Sequence, residues 1–149
     1  MRVGEYCNSD VIIINQDETP LDAVLLMRQY NVGDVVIVDG RDEGNTPLGI
    51  VTDRDIALEI VAAEVDPTTV AVIDIVRKPL VTVNENDDLC ECTVHMKHNG
   101  VRRAPVINDS GFLVGIITID DIIETLSDQL NDVVSLVSVQ QEYEQKMLA

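Results

Sequence analysis

Gly49-Ile50-Val51-Thr52-x-x-Asp55 and Gly115-Ile116-Ile117-Thr118-x-x-Asp121 hold the residues best spaced for chemistry. Each is an apolar run that ends in Thr, with an Asp three residues later where a helix is expected to start. This geometry supports two readings. In the first it is a variant capping box, in which hydroxyl and carboxylate satisfy backbone donors of the first helical turn. In the second it serves a ligand: a helix start offers N–H groups and a positive dipole end to a phosphate. An Asp beside it accepts both hydrogen bonds of a ribose diol.

The basic residues bear on that choice. The chain has ten Lys and Arg against 27 Asp and Glu, a formal net charge of -17. Five of the ten (Arg54, Arg77, Lys78, Arg102 and Arg103) sit in or beside the repeated motifs. Scattered surface arginines are the plainer account. In so acidic a chain the concentration points instead to an anionic ligand held by charge-assisted bonds.

Other constellations carry less. Cys90, Cys92, His95 and His98 invite a metal reading. Cys90 and Cys92 would leave a helix on different sides, and Cys92 takes the core position that Ala23 holds in the first copy. Glu91, His95 and His98 share a face, where solvated side chains are the simpler account. Asp53, Asp55, Asp120 and Asp121 fall in two separate motif copies with no base or nucleophile beside them, so no catalytic site is expected. Neither a Gly-rich phosphate loop nor a Ser–His–Asp signature is present.

The positioning elements follow from an internal repeat. Shifting the 149-residue sequence by 69 pairs Val3 with Val72, Ile14 with Val83, Met27 with Met96 and Ile37 with Val106. After Asp39 the offset becomes 66 and pairs GIVTDRDI (49–56) with GIITIDDI (115–122). The change falls in the polar loop DGRDEGNTP, where an insertion costs little. One fifty-residue unit would struggle to bury its own core, whereas two packed together can.

Each unit reads as strand (Val11–Ile14, Leu80–Val83), helix, strand (35–38, 104–107), strand (Leu48–Thr52, Phe112–Thr118) and helix. The first helix shows apolar spacing at Ala23, Leu26, Met27 and Tyr30, then at Cys92, Met96 and Asn99. Thr19–Pro20 is a fitting helix start. The last helix is expected to run toward Leu148, with a stripe of Ile122, Ile123, Leu126, Leu130, Val133, Val134 and Val137. That stripe outruns what one unit needs to cover, so part of it is expected to meet another subunit. The expected organisation is unit one at 1–63, a linker at 64–71, unit two at 72–127 and a helical extension at 128–149.

Composition narrows the function classes. Apolar residues make up 46% and charged residues 25%, as in a soluble globular protein. With three Tyr, one Phe and no Trp the core must be aliphatic, and a base-stacking surface is excluded. The net charge argues against duplex nucleic acid and against an anionic membrane surface. No run reaches the roughly twenty apolar residues of a membrane span, and MRVGEYCNSD lacks the apolar core of a signal peptide. Three Cys without framework spacing fit a reducing, cytoplasmic setting.

The doubled pattern of GIVTDRDI, GIITIDDI, RRAPVIND and VIDIVRKPLVTV resembles the tandem CBS-domain pair, the Bateman module, from about Val3 to Leu126. The resemblance implies an α+β fold of two βαββα units related by a pseudo-twofold axis, with two clefts between them. It implies a stand-alone regulatory module that binds AMP, ADP, ATP or S-adenosylmethionine without requiring a cofactor. It implies further that one cleft uses Ile50, Thr52, Arg54 and Asp55 with Arg77 and Thr82 from the opposite unit. The other would use Ile116, Thr118, Asp120 and Asp121 with Asn8 and Ile13. Val32–Gly33 and Val101–Arg102 would border both. The copies differ where phosphate would lie: Arg54, Arg77 and Lys78 serve one cleft, Asp120 and Asp10 the other. The Asp55 cleft is therefore expected to be the better phosphate binder. Output would pass through a homodimer formed by helices, or through an unknown protein partner. A structural dimerisation module with empty clefts is the alternative, and an enzyme acting on a nucleotide the more distant one.

Overall fold

In the computed structural model of the chain, residues 1–41 and 45–148 are described. Part of the loop that absorbs the change of repeat offset lies outside them.

Local chemistry sets the first helices. Thr19 caps α2 (Pro20–Tyr30) reciprocally: its hydroxyl oxygen accepts from the Asp22 N–H, and the Asp22 carboxylate accepts from the Thr19 N–H. Asn31, at φ 53°, ends the helix in the left-handed region. The counterpart α4 (Leu89–Asn99) is capped by the Asp88 side chain and ends at Gly100, φ 64°. Gly100 stands at the repeat position of Asn31, and Asn is the residue that best replaces Gly in such a stop.

Each copy then builds one three-stranded sheet. Strand β1 (Ile13–Asn15) runs parallel to β2 (Asp34–Asp39), which pairs antiparallel with β3 (Thr46–Thr52). Strands β4 (Val83–Asn84), β5 (Arg103–Ile107) and β6 (Leu113–Thr118) repeat the arrangement. The order is β1-β2-β3 and β4-β5-β6. A helix follows each third strand: α3 (Asp53–Ile56), extended by a π-helical turn at Ala57–Val61, and α5 (Ile119–Leu148). The result is the expected α+β pair of βαββα units.

The first strand of each unit starts later than expected. Val11, Ile12, Leu80 and Val81 stay out of the sheets and form cavity walls instead. The buried helix face is also narrower: Ala23, Met27, Cys92 and Met96 are buried, while Tyr30 and Asn99 are exposed.

Each unit is completed by residues that precede the other. The short helix α1 (Val3–Tyr6) docks on the second unit, where Val3 and Gly4 donate N–H bonds to the carbonyls of Asp87 and Glu85. Val3 is fully buried among Val83, Leu89, Cys92 and Met96. Val72 in turn donates to the Glu18 carbonyl and is buried with Ile14, Ala23 and Met27. Between the sheets Val36, Val38 and Ile116 form a third cluster with Val11, Ile50 and Leu113. Burial of this aliphatic surface joins the halves.

In α5 only Ile122 is buried. From Ile123 onward the apolar stripe is exposed.

Candidate nucleotide clefts

The ends of β3 and β6 carry the two Thr–Asp motifs into the grooves between the units. In the first motif the Thr52 N–H donates to Asp55 Oδ2 at 2.9 Å, and the Asp55 N–H donates to Thr52 Oγ1 at 3.1 Å. The Asp53 N–H is taken by the Gly33 carbonyl at 2.9 Å, and the Arg54 N–H by Asp53 Oδ1 at 2.8 Å. All three amides at the start of α3 are thus satisfied within the chain. The expectation of free N–H groups for a phosphate is corrected: the capping reading describes this motif. The second motif repeats it, with Thr118 N–H to Asp121 Oδ2 at 2.9 Å, Asp121 N–H to Thr118 Oγ1 at 3.2 Å and Ile119 N–H to the Arg102 carbonyl at 2.8 Å. Asp55 Oδ1 carries no hydrogen bond among the described residues.

A cavity of about 530 Å³ opens beside the first motif. Ile50, Thr52, Asp53, Arg54 and Asp55 form one wall, and the second unit supplies Lys78–Val81 and the turn Asn99–Arg103. The structure thereby brings together Ile50, Thr52, Arg54, Asp55 and Arg102, as expected. It leaves Arg77 and Thr82 out of the lining. Arg77 is drawn away by Glu59 on the π-helical turn, with Nε 3.0 Å from the carboxylate and the side chain 77% exposed. Lys78 supplies the positive charge in its place.

A smaller cavity of about 230 Å³ lies beside the second motif, lined by Asn8, Asp10, Val11, Ile12, Val32, Gly33, Asp34, Ile116 and Thr118. Asn8, Gly33, Ile116 and Thr118 are where they were expected. Asn8 is fixed there by two 2.9 Å backbone bonds with Ile116. Ile13, Asp120 and Asp121 do not line it; Ile12, one position earlier on the opposite face of the chain, does. Val32 and Gly33 line this cavity, and Val101 and Arg102 line the larger one, while the Gly33 and Arg102 carbonyls each reach the start of the other cleft's helix.

The two cavities differ in charge. Arg54, Lys78, Arg102 and Arg103 line the larger one against Asp53 and Asp55. Asp10 and Asp34 are the charged residues lining the smaller. Arg103 donates from Nη1 to the Asp34 carboxylate across the groove. The sequence reading missed this pair, together with the wall residues Pro79–Val81 and Asn99–Gly100. The signal for the pair was available: residues 34 and 103 are in register at the offset of 69.

The Cys and His residues of α4 do not converge. Cys92 is buried, which pushes its thiol up to about 11. The His95 carbonyl accepts from Asn99 Nδ2 at 2.9 Å. Among the described residues no three His, Cys, Asp or Glu side chains group as a metal ion requires. No helix among them is long and apolar enough to cross a membrane.

Comparison with known proteins gives this geometry a lineage. The CBS domain family matches residues 3–62 and again 72–128. The chain is 38% identical over 124 residues to the uncharacterized protein MK0525 of Methanopyrus kandleri, covering 83% of this chain and 62% of that protein, less than two thirds of its length. Hypoxic response protein 1 of Mycobacterium tuberculosis is 33% identical over 124 residues, 83% of this chain and 84% of its own. The crystal structure of Hypoxic Response Protein I with two coordinated zinc ions superposes with a TM-score of 0.73 at 31% identity, over 83% of this chain and 98% of that one. The CBS domain protein PAE2072 from Pyrobaculum aerophilum, solved in complex with AMP, shares the fold with a TM-score of 0.72 at 24% identity, over 81% of this chain and 89% of that one. Two matched copies over most of the length, in the same two-sheet arrangement, place the chain in the CBS domain family as a tandem pair.

Proposed function

We propose that this CBS pair is a regulatory module that binds an adenosine phosphate in the Asp55 cleft. One observation carries the reading. In a chain of net charge -17, Arg54, Lys78 and Arg102 line one cavity of about 530 Å³ beside a carboxylate. That volume is of the size that takes small ligands. Since the amides of α3 are already paired, the phosphates are held by these side chains through charge-assisted bonds. Asp55 Oδ1 accepts from the ribose, and Ile50, Leu80 and Val101 flank the base. The smaller cavity, walled by Asp10 and Asp34, disfavours phosphate. Ligand binding biases one arrangement of the module by its difference in affinity. Output passes to a second copy in a homodimer formed through helices, or to a protein partner. Three free thiols accord with a cytoplasmic setting.

Titration calorimetry with AMP, ADP, ATP, S-adenosylmethionine and NAD tests the reading. One strong site for a phosphate-bearing nucleotide is expected, abolished by Arg54→Glu. Equal affinity at two sites would refute the assignment of the clefts. No binding of any adenosyl compound would leave the alternative, a structural interaction module with empty clefts.

A further inference from the structure

Helix α5 runs for 30 residues, about 45 Å at 1.5 Å per residue, and only its first turn is anchored in the second unit. Ile122 is 4% exposed, whereas Leu130 is 64%, Val133 61% and Val137 54% exposed. Six of the exposed apolar residues follow a stricter rule than an amphipathic helix needs. Ile119, Ile123, Leu126, Leu130, Val133 and Val137 are spaced by alternating steps of four and three. A helix packed on a globular surface repeats every 3.6 residues, whereas a sustained 3.5-residue repeat keeps its seam facing another helix through a left-handed supercoil. We infer that residues 123–137 form a coiled coil with the same segment of a second copy of this chain.

Charge decides the occupant. The positions flanking the seam are Ser127, Gln129, Val134 and Leu136, none of them charged. The acids Glu124, Asp128, Asp132 and Glu142 lie away from it. Along this strip a second copy of a -17 chain approaches without meeting like charge. A partner selected by charge would need complementary residues on the flanks, where coiled coils carry them, and this seam has none. An anionic bilayer would face an acidic outer surface with Lys146 as the single basic residue of the helix. The seam positions after Val137 are Gln140 and Glu144, a polar and an acidic residue, and they end it.

The inference deepens the homodimer in the proposed function and rests on it. Its test is the mass of the full chain by sedimentation equilibrium, for the wild type, for Leu130→Glu with Val137→Glu, and for Ser135→Glu on the opposite face. The wild type and Ser135→Glu are expected at twice or more the 16.4 kDa of one chain. The seam variant is expected at the mass of one chain. The substituted residues are exposed, so its nucleotide affinity should match the wild type and report an intact body. A monomeric wild type overturns both the coiled coil and the homodimer. A seam variant that keeps the wild-type mass overturns the coiled coil alone and assigns the dimer to the CBS units.

Discussion

Asp34 and Arg103 are the same position of the repeat, 69 residues apart, and their side chains form an ion pair. Equivalent positions of two copies can touch only where the axis relating the copies passes. An unaltered duplicate would set two Asp or two Arg against each other there. The divergence to opposite charges turns a repulsion at the seam into an attraction. Each partner also walls a different cavity, Arg103 the larger and Asp34 the smaller, so the pair stands between them.

Reversing one member restores the conflict. Asp34→Arg and Arg103→Asp should each lower the melting temperature, and the double exchange should recover most of the loss. The Arg103 side chain is 36% and that of Asp34 22% exposed, so screening limits the coupling to about 1 kcal/mol. A double-mutant cycle in thermal or urea denaturation reads it. If the double variant is as unstable as the two losses added together, the pair does not hold the halves.

The two Thr–Asp motifs allow cap and ligand to be separated. Asp55→Ala and Asp121→Ala remove equivalent halves of the two capping boxes, so each should cost about 1 kcal/mol of stability. Only Asp55→Ala should weaken the nucleotide, by about 1–3 kcal/mol, the scale of hydrogen bonds to a charged group. Denaturation measures the first effect and calorimetry the second. Equal loss of nucleotide affinity in both variants would contradict a single strong cleft.

Much of this architecture was legible because the repeat prints each element twice. The caps at Thr19, Thr52 and Thr118 are local chemistry and could be read from short segments. The exchange of leading segments could not. Val3 pairs with Val72 in the repeat, but nothing local tells that each completes the core of the other unit. The cleft residues divided along the same line. Those on the motif strands, Ile50, Thr52 and Ile116, line cavities because strand and turn fix them. Arg77 reaches Glu59 instead, since a long flexible side chain goes to whichever acid lies near, and the π-helical turn carrying Glu59 has no signature in the sequence.

Gly49 and Gly115 are repeat partners with different surroundings. A Cβ on Gly115 would lie 2.6 Å from Cys7 Sγ and 2.9 Å from the Asn8 carbonyl oxygen, so Ala there must push the N-terminal segment off β6. A Cβ on Gly49 would meet Val76 Cγ1 at 3.4 Å, an ordinary contact. Gly115→Ala should therefore cost about 1–3 kcal/mol and Gly49→Ala much less. Urea denaturation gives both numbers. Amide exchange should show Val3 and Gly4 losing protection only in Gly115→Ala, and unchanged protection would place the strain elsewhere.

The capping box of α2 predicts a pH dependence of known sign. The Asp22 carboxylate accepts from the Thr19 N–H at 3.0 Å and from the Thr19 hydroxyl at 2.9 Å, and the backbone bond first, then the hydroxyl, holds its pKa below the usual carboxylate value. A carboxyl group depressed on folding stabilises the native state in full above its unfolded pKa of about 3.9, and that stability is lost as the pH falls through the folded value. Asp22→Asn lacks the titrating group. Its urea midpoint should lie below that of the wild type at pH 7, and the gap should narrow as the pH falls below about 4. A gap of constant size across that range would show that Asp22 acts through packing rather than through its charge.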